Sequence, residues 1–136
     1  QFQRSTMYYK FPISTYLARI NDDFMSKTVT LKFYSGVVPT IEEAYTMSPA
    51  LRDDELLGST TIGLNSIGEN TSQPSFLPTS DGEVSWCKII SGTYVICTDL
   101  IGITNEHNNI IWLHSKQFDT TISNTVQVVY LKMGVV

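Results

Sequence analysis

The side chains that could do chemistry in this chain are two cysteines, two histidines, and carboxylates gathered in short runs. Cys87 and Cys97 lie symmetrically about Ser91-Gly92-Thr93. A three-residue loop, with Ile90 opposite Tyr94, would set the two thiols directly across a hairpin and permit a disulfide. A two-residue turn would move them off register. Spacing does not decide the connectivity, and the expectation is two reduced thiols packed as small apolar groups. There is no CxxC pair. His107 and His114 have no Asp, Glu or Cys at ligand spacing except the adjacent Glu106, so no metal site is expected.

The carboxylates read as structure before chemistry. Asp22-Asp23 fits the solvated side of a helix. Asp53-Asp54-Glu55 is an acidic cluster, but three sequence neighbours on a loop do not place a general acid opposite a general base. Asp81 and Glu83 could contact Ca²⁺, although Asp81-Gly82 is explained by a turn. No GxSxG, phosphate-binding glycine loop or HExxH occurs. The expectation is a protein without catalysis or cofactor. Trp86 and Trp112, in predicted strands, could stack on sugars if exposed; period-2 placement in a core is the commoner role.

These groups must be positioned by a mostly β chain. Residues 14–27 carry the one convincing helix. Ser14 or Thr15 can cap it, and Ile13, Leu17, Ile20 and Phe24 form an apolar stripe. From Val29 the period becomes 2: Val29, Leu31 and Phe33 alternate with Thr28, Thr30, Lys32 and Tyr34, as in a half-buried strand. Ser35-Gly36 ends it. Thr40 and Glu43 have the spacing of a capping box, and Ala44, Met47 and Leu51 are expected to face inward. Leu56 and Leu57 open a second strand through Ile62, and 66–80 is a polar, Pro-containing loop. Further strands are expected at Glu83–Ile90, Tyr94–Leu100, Ile110–His114 and Thr125–Met133. Short strands and turn-rich loops predict a mainly β fold, an antiparallel β-sandwich (jelly-roll-like) with one N-terminal helix.

Composition narrows the classes further. The 136 residues hold 42% apolar and 16% charged side chains, with a net charge of −4. That apolar content excludes a disordered chain, and the length can bury a core without disulfides or metal. Without a Lys/Arg block, direct nucleic-acid binding is not expected. No apolar run reaches the ~20 residues of a membrane helix. The place of the missing charge is taken by 16 Thr and 14 Ser. The opening stretch 1–12 (QFQRSTMYYKFP) has no clear period and no signal-peptide pattern. It reads as an arm ahead of a single domain, 13–136, with Phe2, Arg4, Tyr8, Tyr9 and Phe11 as anchors on a partner.

The order of segments resembles a family of small tailed-bacteriophage virion structural proteins. The first matching stretch is Leu31 to Leu57: a strand ending in Tyr34-Ser35-Gly36, then Pro39-Thr40, Ala44 and Leu56-Leu57. The second is Gly82 to Asp99, GEVSWCKIISGTYVICTD, with Trp86 and Lys88 after a Gly turn as its distinctive residues. A weaker third runs from Ile110–His114 through the Thr-rich segment to Lys132. The chain departs from the pattern at Asp53-Asp54-Glu55, where family members often carry Gly, and at Val84, where a small residue is usual.

The resemblance implies a structural component of a tailed-phage virion, a capsid decoration or cement protein ahead of a tail or connector part. Its partners would be other virion proteins, the major capsid or tail protein, and copies of itself in a homo-oligomer. Assembly in the bacterial cytoplasm agrees with reduced cysteines. A Thr/Ser-rich, weakly charged surface suits lateral packing, because hydroxyls can be paired without desolvating charge. The alternative is a carbohydrate-binding β-sandwich module or adhesin working through Trp86 and Trp112. A hydrolase based on Asp and Glu is the weakest reading.

Overall fold

The computed structural model describes residues 20–40, 43–44, 46–103 and 109–131. The arm residues Phe2, Arg4, Tyr8, Tyr9 and Phe11, the first part of the expected helix, and His107 lie outside them. The described part is mainly β and predominantly antiparallel. A π-helical turn, Ile20–Phe24, ends at the last residue of the apolar stripe, short of the end expected at 27. The reason is local: Ser26 takes a left-handed backbone (φ 61°), and its N–H donates to Asn65 O at 3.0 Å, so the chain turns directly into a strand.

Strand β1 (Thr28–Tyr34) and strand β2 (Leu56–Gly63) pair antiparallel, Leu31 opposite Thr60 and Phe33 opposite Gly58. Short strands β3 (Ser75–Phe76) and β4 (Gly82–Glu83) follow, the first inside the loop expected at 66–80. Strand β5 (Trp86–Ser91) pairs with β1 on one side and β6 (Tyr94–Thr98) on the other. The first sheet therefore runs β2-β1-β5-β6. The remaining strands are β7 (Ile101–Gly102), β8 (Ile111–Leu113), β9 (Gln117–Phe118) and β10 (Asn124–Val129). They build a second sheet, β3-β10-β8-β7, in which β7 and β8 are parallel, and the small β4-β9 pair.

Two expected strands are corrected. Glu83–Ile90 is not continuous, because Gly82-Glu83 pairs with β9 while Trp86 onward pairs with β1. At the crossing, Val84 N–H donates to Lys116 O and Ser85 N–H to Tyr34 O, each at 2.8 Å. Tyr94–Leu100 likewise ends at Thr98, whose hydroxyl accepts from Leu100 N–H at 2.9 Å.

One face of the first sheet carries Val29, Leu31, Phe33, Ile62 and Ile89, all buried. Across from it Phe33 stacks on Phe76 (5.6 Å between centroids, 6° between planes) and meets Phe118 edge-on at 5.6 Å. Gly58 lets these rings close, since a Cβ there would lie 3.1 Å from Phe118 and 3.3 Å from Phe76. The other face lies under the β1–β2 connection. The Thr40–Glu43 capping box forms as expected: Glu43 N–H donates to Thr40 Oγ1 at 3.2 Å, and Thr40 N–H to Glu43 Oε1 at 3.0 Å. Ala44 and Met47 are buried, but Leu51 is exposed. Its carbonyl is turned inward to an ammonium, leaving its side chain in water.

Candidate functional site

The hairpin between β5 and β6 settles the cysteine register. Ser91 opposes Tyr94, so the turn is the two-residue Gly92-Thr93. Gly92 sits at φ 62°, at the first central position, where a type II′ turn requires positive φ. Cys87 then pairs with Thr98, and Cys97 with Lys88. Because successive side chains alternate, the two thiols occupy opposite faces. Both are free and buried. Burial pushes Cys97 up to about 12, although the nearby charges of Lys88 and Arg52 act to lower it. Cys87 is also raised, first by burial. Neither is a ready nucleophile, since the thiolate is the reactive form.

The principal polar cluster occupies the face beneath the β1–β2 connection. Lys32 on β1 and Lys88 on β5 are cross-strand partners, and Tyr34 opposes Trp86 on the same face. Lys88 is the one fully buried charged residue among the described residues. Its ammonium donates to Pro49 O at 3.1 Å, Ser48 O at 3.4 Å and Leu51 O. Lys32 donates to Pro49 O at 3.1 Å and to Asp53 Oδ2 at 2.8 Å. Tyr34 Oη donates to Asp53 Oδ1 at 2.5 Å, and Lys88 Nζ stands 3.6 Å from that oxygen, a charge contact rather than a hydrogen bond.

Aromatic contacts extend the cluster. Tyr34 stacks on Trp86 at 4.2 Å and 12°, and Lys88 Nζ lies 4.8 Å from the Tyr34 ring centre. The Trp86 indole N–H donates to Ser35 O at 3.0 Å. Arg52 adopts a left-handed backbone (φ 66°), which costs about 1–2 kcal/mol for a residue with a Cβ. Its guanidinium lies 4.8 Å over Trp86 and donates to Val37 O at 2.5 Å and Glu55 Oε1 at 2.7 Å.

Protonation follows from this geometry. Burial works to raise the Asp53 carboxyl, but hydrogen bonds from Lys32 and Tyr34, with the charges of Lys32 and Lys88, hold it below its ordinary value. The Tyr34 hydroxyl is raised far above the ordinary phenol range, by burial first and then by its bond to Asp53. Burial lowers Lys88, with Asp53 opposing. An ionised carboxylate between two ammonium groups is an electrostatic clamp. Two donors, Lys32 and Tyr34, with the Lys88 charge beside them, leave Asp53 engaged, and Lys88 is saturated by carbonyls.

The other candidates do not join this cluster. Asp54 and Asp81 are exposed, and Asp81 Oδ1 accepts from Thr120 N–H at 2.8 Å. His114 is exposed, and among the described residues no group of three His, Cys, Asp or Glu could hold a metal. Trp86 is 0% exposed, which removes it as a sugar platform; Trp112 is half-buried. Sequence reasoning placed Asp53 in a loop cluster and Lys32 and Tyr34 on a solvated face, and so missed the clamp. The available signal was Lys88 inside Trp-Cys-Lys-Ile-Ile, a charge where a central strand should be apolar. Comparisons with family models, curated proteins and solved structures find no match.

Proposed function

We propose that the chain is a non-enzymatic structural component of a tailed-phage virion, a capsid decoration or cement protein. The motif resemblance brings this reading, and one observation carries it: the strongest polar groups are spent on fastening the chain to itself. Lys88 and Asp53 hold the β1–β2 connection against the sheet, with no free acid, base or nucleophile between them. A rigid surface built this way serves contacts rather than turnover.

In this reading the two four-stranded sheets face each other as an antiparallel, jelly-roll-like sandwich behind an N-terminal helix. Phe33 against Phe76 and Phe118 supports that packing. The exposed Val37 and Leu51 on the fastened connection offer apolar contact area on either side of Arg52, whose guanidinium donates to Val37 O. The arm, 1–12, attaches the subunit to the major capsid or tail protein through Phe2, Arg4, Tyr8, Tyr9 and Phe11, and the virion is its location. Mass spectrometry of purified particles should detect the chain. Deleting residues 1–12 should leave a folded protein that no longer enters particles; unchanged incorporation would refute attachment through the arm.

A further inference from the structure

The last part of the β1–β2 connection, residues 47–55, is held to the first sheet by side chains rather than by backbone. Its own backbone bonds are local. Met47 N–H donates to Ala44 O, Leu51 N–H to Ser48 O and Asp53 N–H to Ala50 O, each at 3.3 Å, and Glu55 N–H to Arg52 O at 3.0 Å. Between described residues, one backbone bond ties the stretch to the sheet, at its far end, from Ser35 N–H to Glu55 O at 3.1 Å. Met47 is its one buried residue, while Ser48, Ala50, Leu51 and Asp54 are exposed.

The fastening converges on a single carboxylate. Asp53 accepts from Lys32 at 2.8 Å and from Tyr34 at 2.5 Å, with the Lys88 ammonium 3.6 Å away. Lys32 and Lys88 are directly opposite each other on β1 and β5, and like charges so placed repel. Asp53 is what lets both ammonium groups turn toward the connection and bond its carbonyls. Few buried apolar contacts and a fastening at one point describe a segment whose local opening costs less than unfolding the whole domain.

The face beneath carries its own reporter. Cys97 is the cross-strand partner of Lys88 and shares its face, within the fields of Arg52 and Glu43 from the connection. Cys87 opposes Phe33 and points to the other, apolar face. Both thiols are free and buried, but different parts of the molecule cover them.

We propose that residues 47–55 form a strap latched by Asp53, which opens as one unit while both sheets stay folded and so gates access to Cys97 and to the stacked Tyr34–Trp86 pair. Opening sets the two opposed lysines in water, and closing requires the carboxylate to return between them. The strap is a property of the fold and does not depend on the virion reading.

The test labels the full chain with a small aromatic disulfide under native conditions and reads the two thiols separately by peptide mass spectrometry. Cys97 should react at least ~10 times faster than Cys87. Low urea should barely change the Cys97 rate, since a strap exposes little surface, while the Cys87 rate should climb with the full unfolding slope. Asp53→Asn, which keeps the shape and removes the charge, should speed Cys97 roughly tenfold or more, the worth of a charged hydrogen bond, and leave Cys87 unchanged. Tyr34→Phe, which removes one donor from the same latch, should speed Cys97 about fivefold, and it decides if Asp53→Asn does not fold. Two thiols that react at one rate and rise together with urea overturn the proposal, because the strap would then leave the sheet only on global unfolding. A faster Cys97 that responds to neither variant also overturns it, since fraying of the edge strand β6 would then expose the thiol.

Discussion

The two faces of the first sheet are built on opposite principles. On one, Leu31, Phe33 and Ile89 meet Phe76 and Phe118, and stability follows apolar area and ring geometry. On the other, Lys32, Tyr34, Trp86 and Lys88 meet Asp53 and a set of loop carbonyls, and stability depends on every polar group having its partner. The first face tolerates a small change of shape. The second does not tolerate a missing charge. The contrast explains how a connection interrupted by Gly36, Pro39 and Pro49 can be fixed on a sheet: its carbonyls are bonded to ammonium groups projecting from the strands.

Lys88→Met is the sharpest way to break the comparison. It keeps most of the volume while orphaning the carbonyls of Ser48 and Leu51, leaving Pro49 O to Lys32 alone and removing one charged neighbour of Asp53. We expect a loss of about 3–5 kcal/mol, the usual cost of removing one partner from a buried charged cluster, read by urea unfolding. Lys88→Met combined with Asp53→Asn should lose less than the sum of the single changes, since the two residues act together. Additive losses would mean that the clamp is not one unit.

Alkaline pH acts on the same contrast through several groups. Cys97, raised to about 12, and Cys87 and Tyr34, also raised, keep their protons longer in the folded than in the unfolded chain. Each therefore stabilises fully below its unfolded value, and that contribution is lost as pH rises through the folded one. Lys88 has the opposite sign: its folded value lies below 10.5, so loss of its proton favours folding as pH rises toward 10.5. Three groups against one predict net loss above pH ~9, at up to about 1.4 kcal/mol per pH unit for each titrating group. At the acid end Asp53, lowered from 3.8, contributes stability above that value and loses it as pH falls through the folded one. Unfolding free energies flat from pH 8 to 11 would contradict the buried, protonated state of these groups.

Phe33→Leu probes the other face. It should cost about 2 kcal/mol through lost volume and two ring contacts, less than Lys88→Met. Unlike Lys88→Met, it leaves the Lys88, Tyr34 and Cys97 environments in place; of the titrating groups only Cys87, its partner across β1 and β5, lies beside it, so the alkaline profile should change little. A larger loss than that of Lys88→Met would reverse the ranking of the two faces.

How much of each face was legible follows from its physics. Val29, Leu31 and Phe33 announce themselves by period 2, so β1 was read to the residue. The hairpin was read too, but its turn length was not, and Gly92-Thr93 rather than three residues moves the thiols to opposite faces. The clamp was hidden because alternation records only which side chains face a core, not which loop will cover the other side. Lys32 and Tyr34 looked solvated for that reason, and Leu51 looked buried. What decides both is tertiary: Leu51 gives its carbonyl, not its side chain, to the interior. The break at Val84-Ser85 was hidden similarly, since a chain passing between sheets keeps an extended backbone and an ordinary strand composition.

The smallest expected effect tests whether the clamp is graded. In Tyr34→Phe the ring can still stack on Trp86 and carry the Lys88 cation contact, while the 2.5 Å bond to Asp53 is lost. Asp53 keeps Lys32 at 2.8 Å and Lys88 at 3.6 Å, so its charge stays balanced. The loss should be about 1 kcal/mol, the net worth of one hydrogen bond, and the Asp53 carboxyl should rise toward its ordinary value because a donor has gone. The alkaline slope should become shallower above pH ~10, where the deleted phenol no longer titrates on unfolding. A loss as large as that of Lys88→Met would place the weight of the clamp on the hydroxyl rather than the ammonium, and the second face would then be a hydrogen-bond network first and an electrostatic one second.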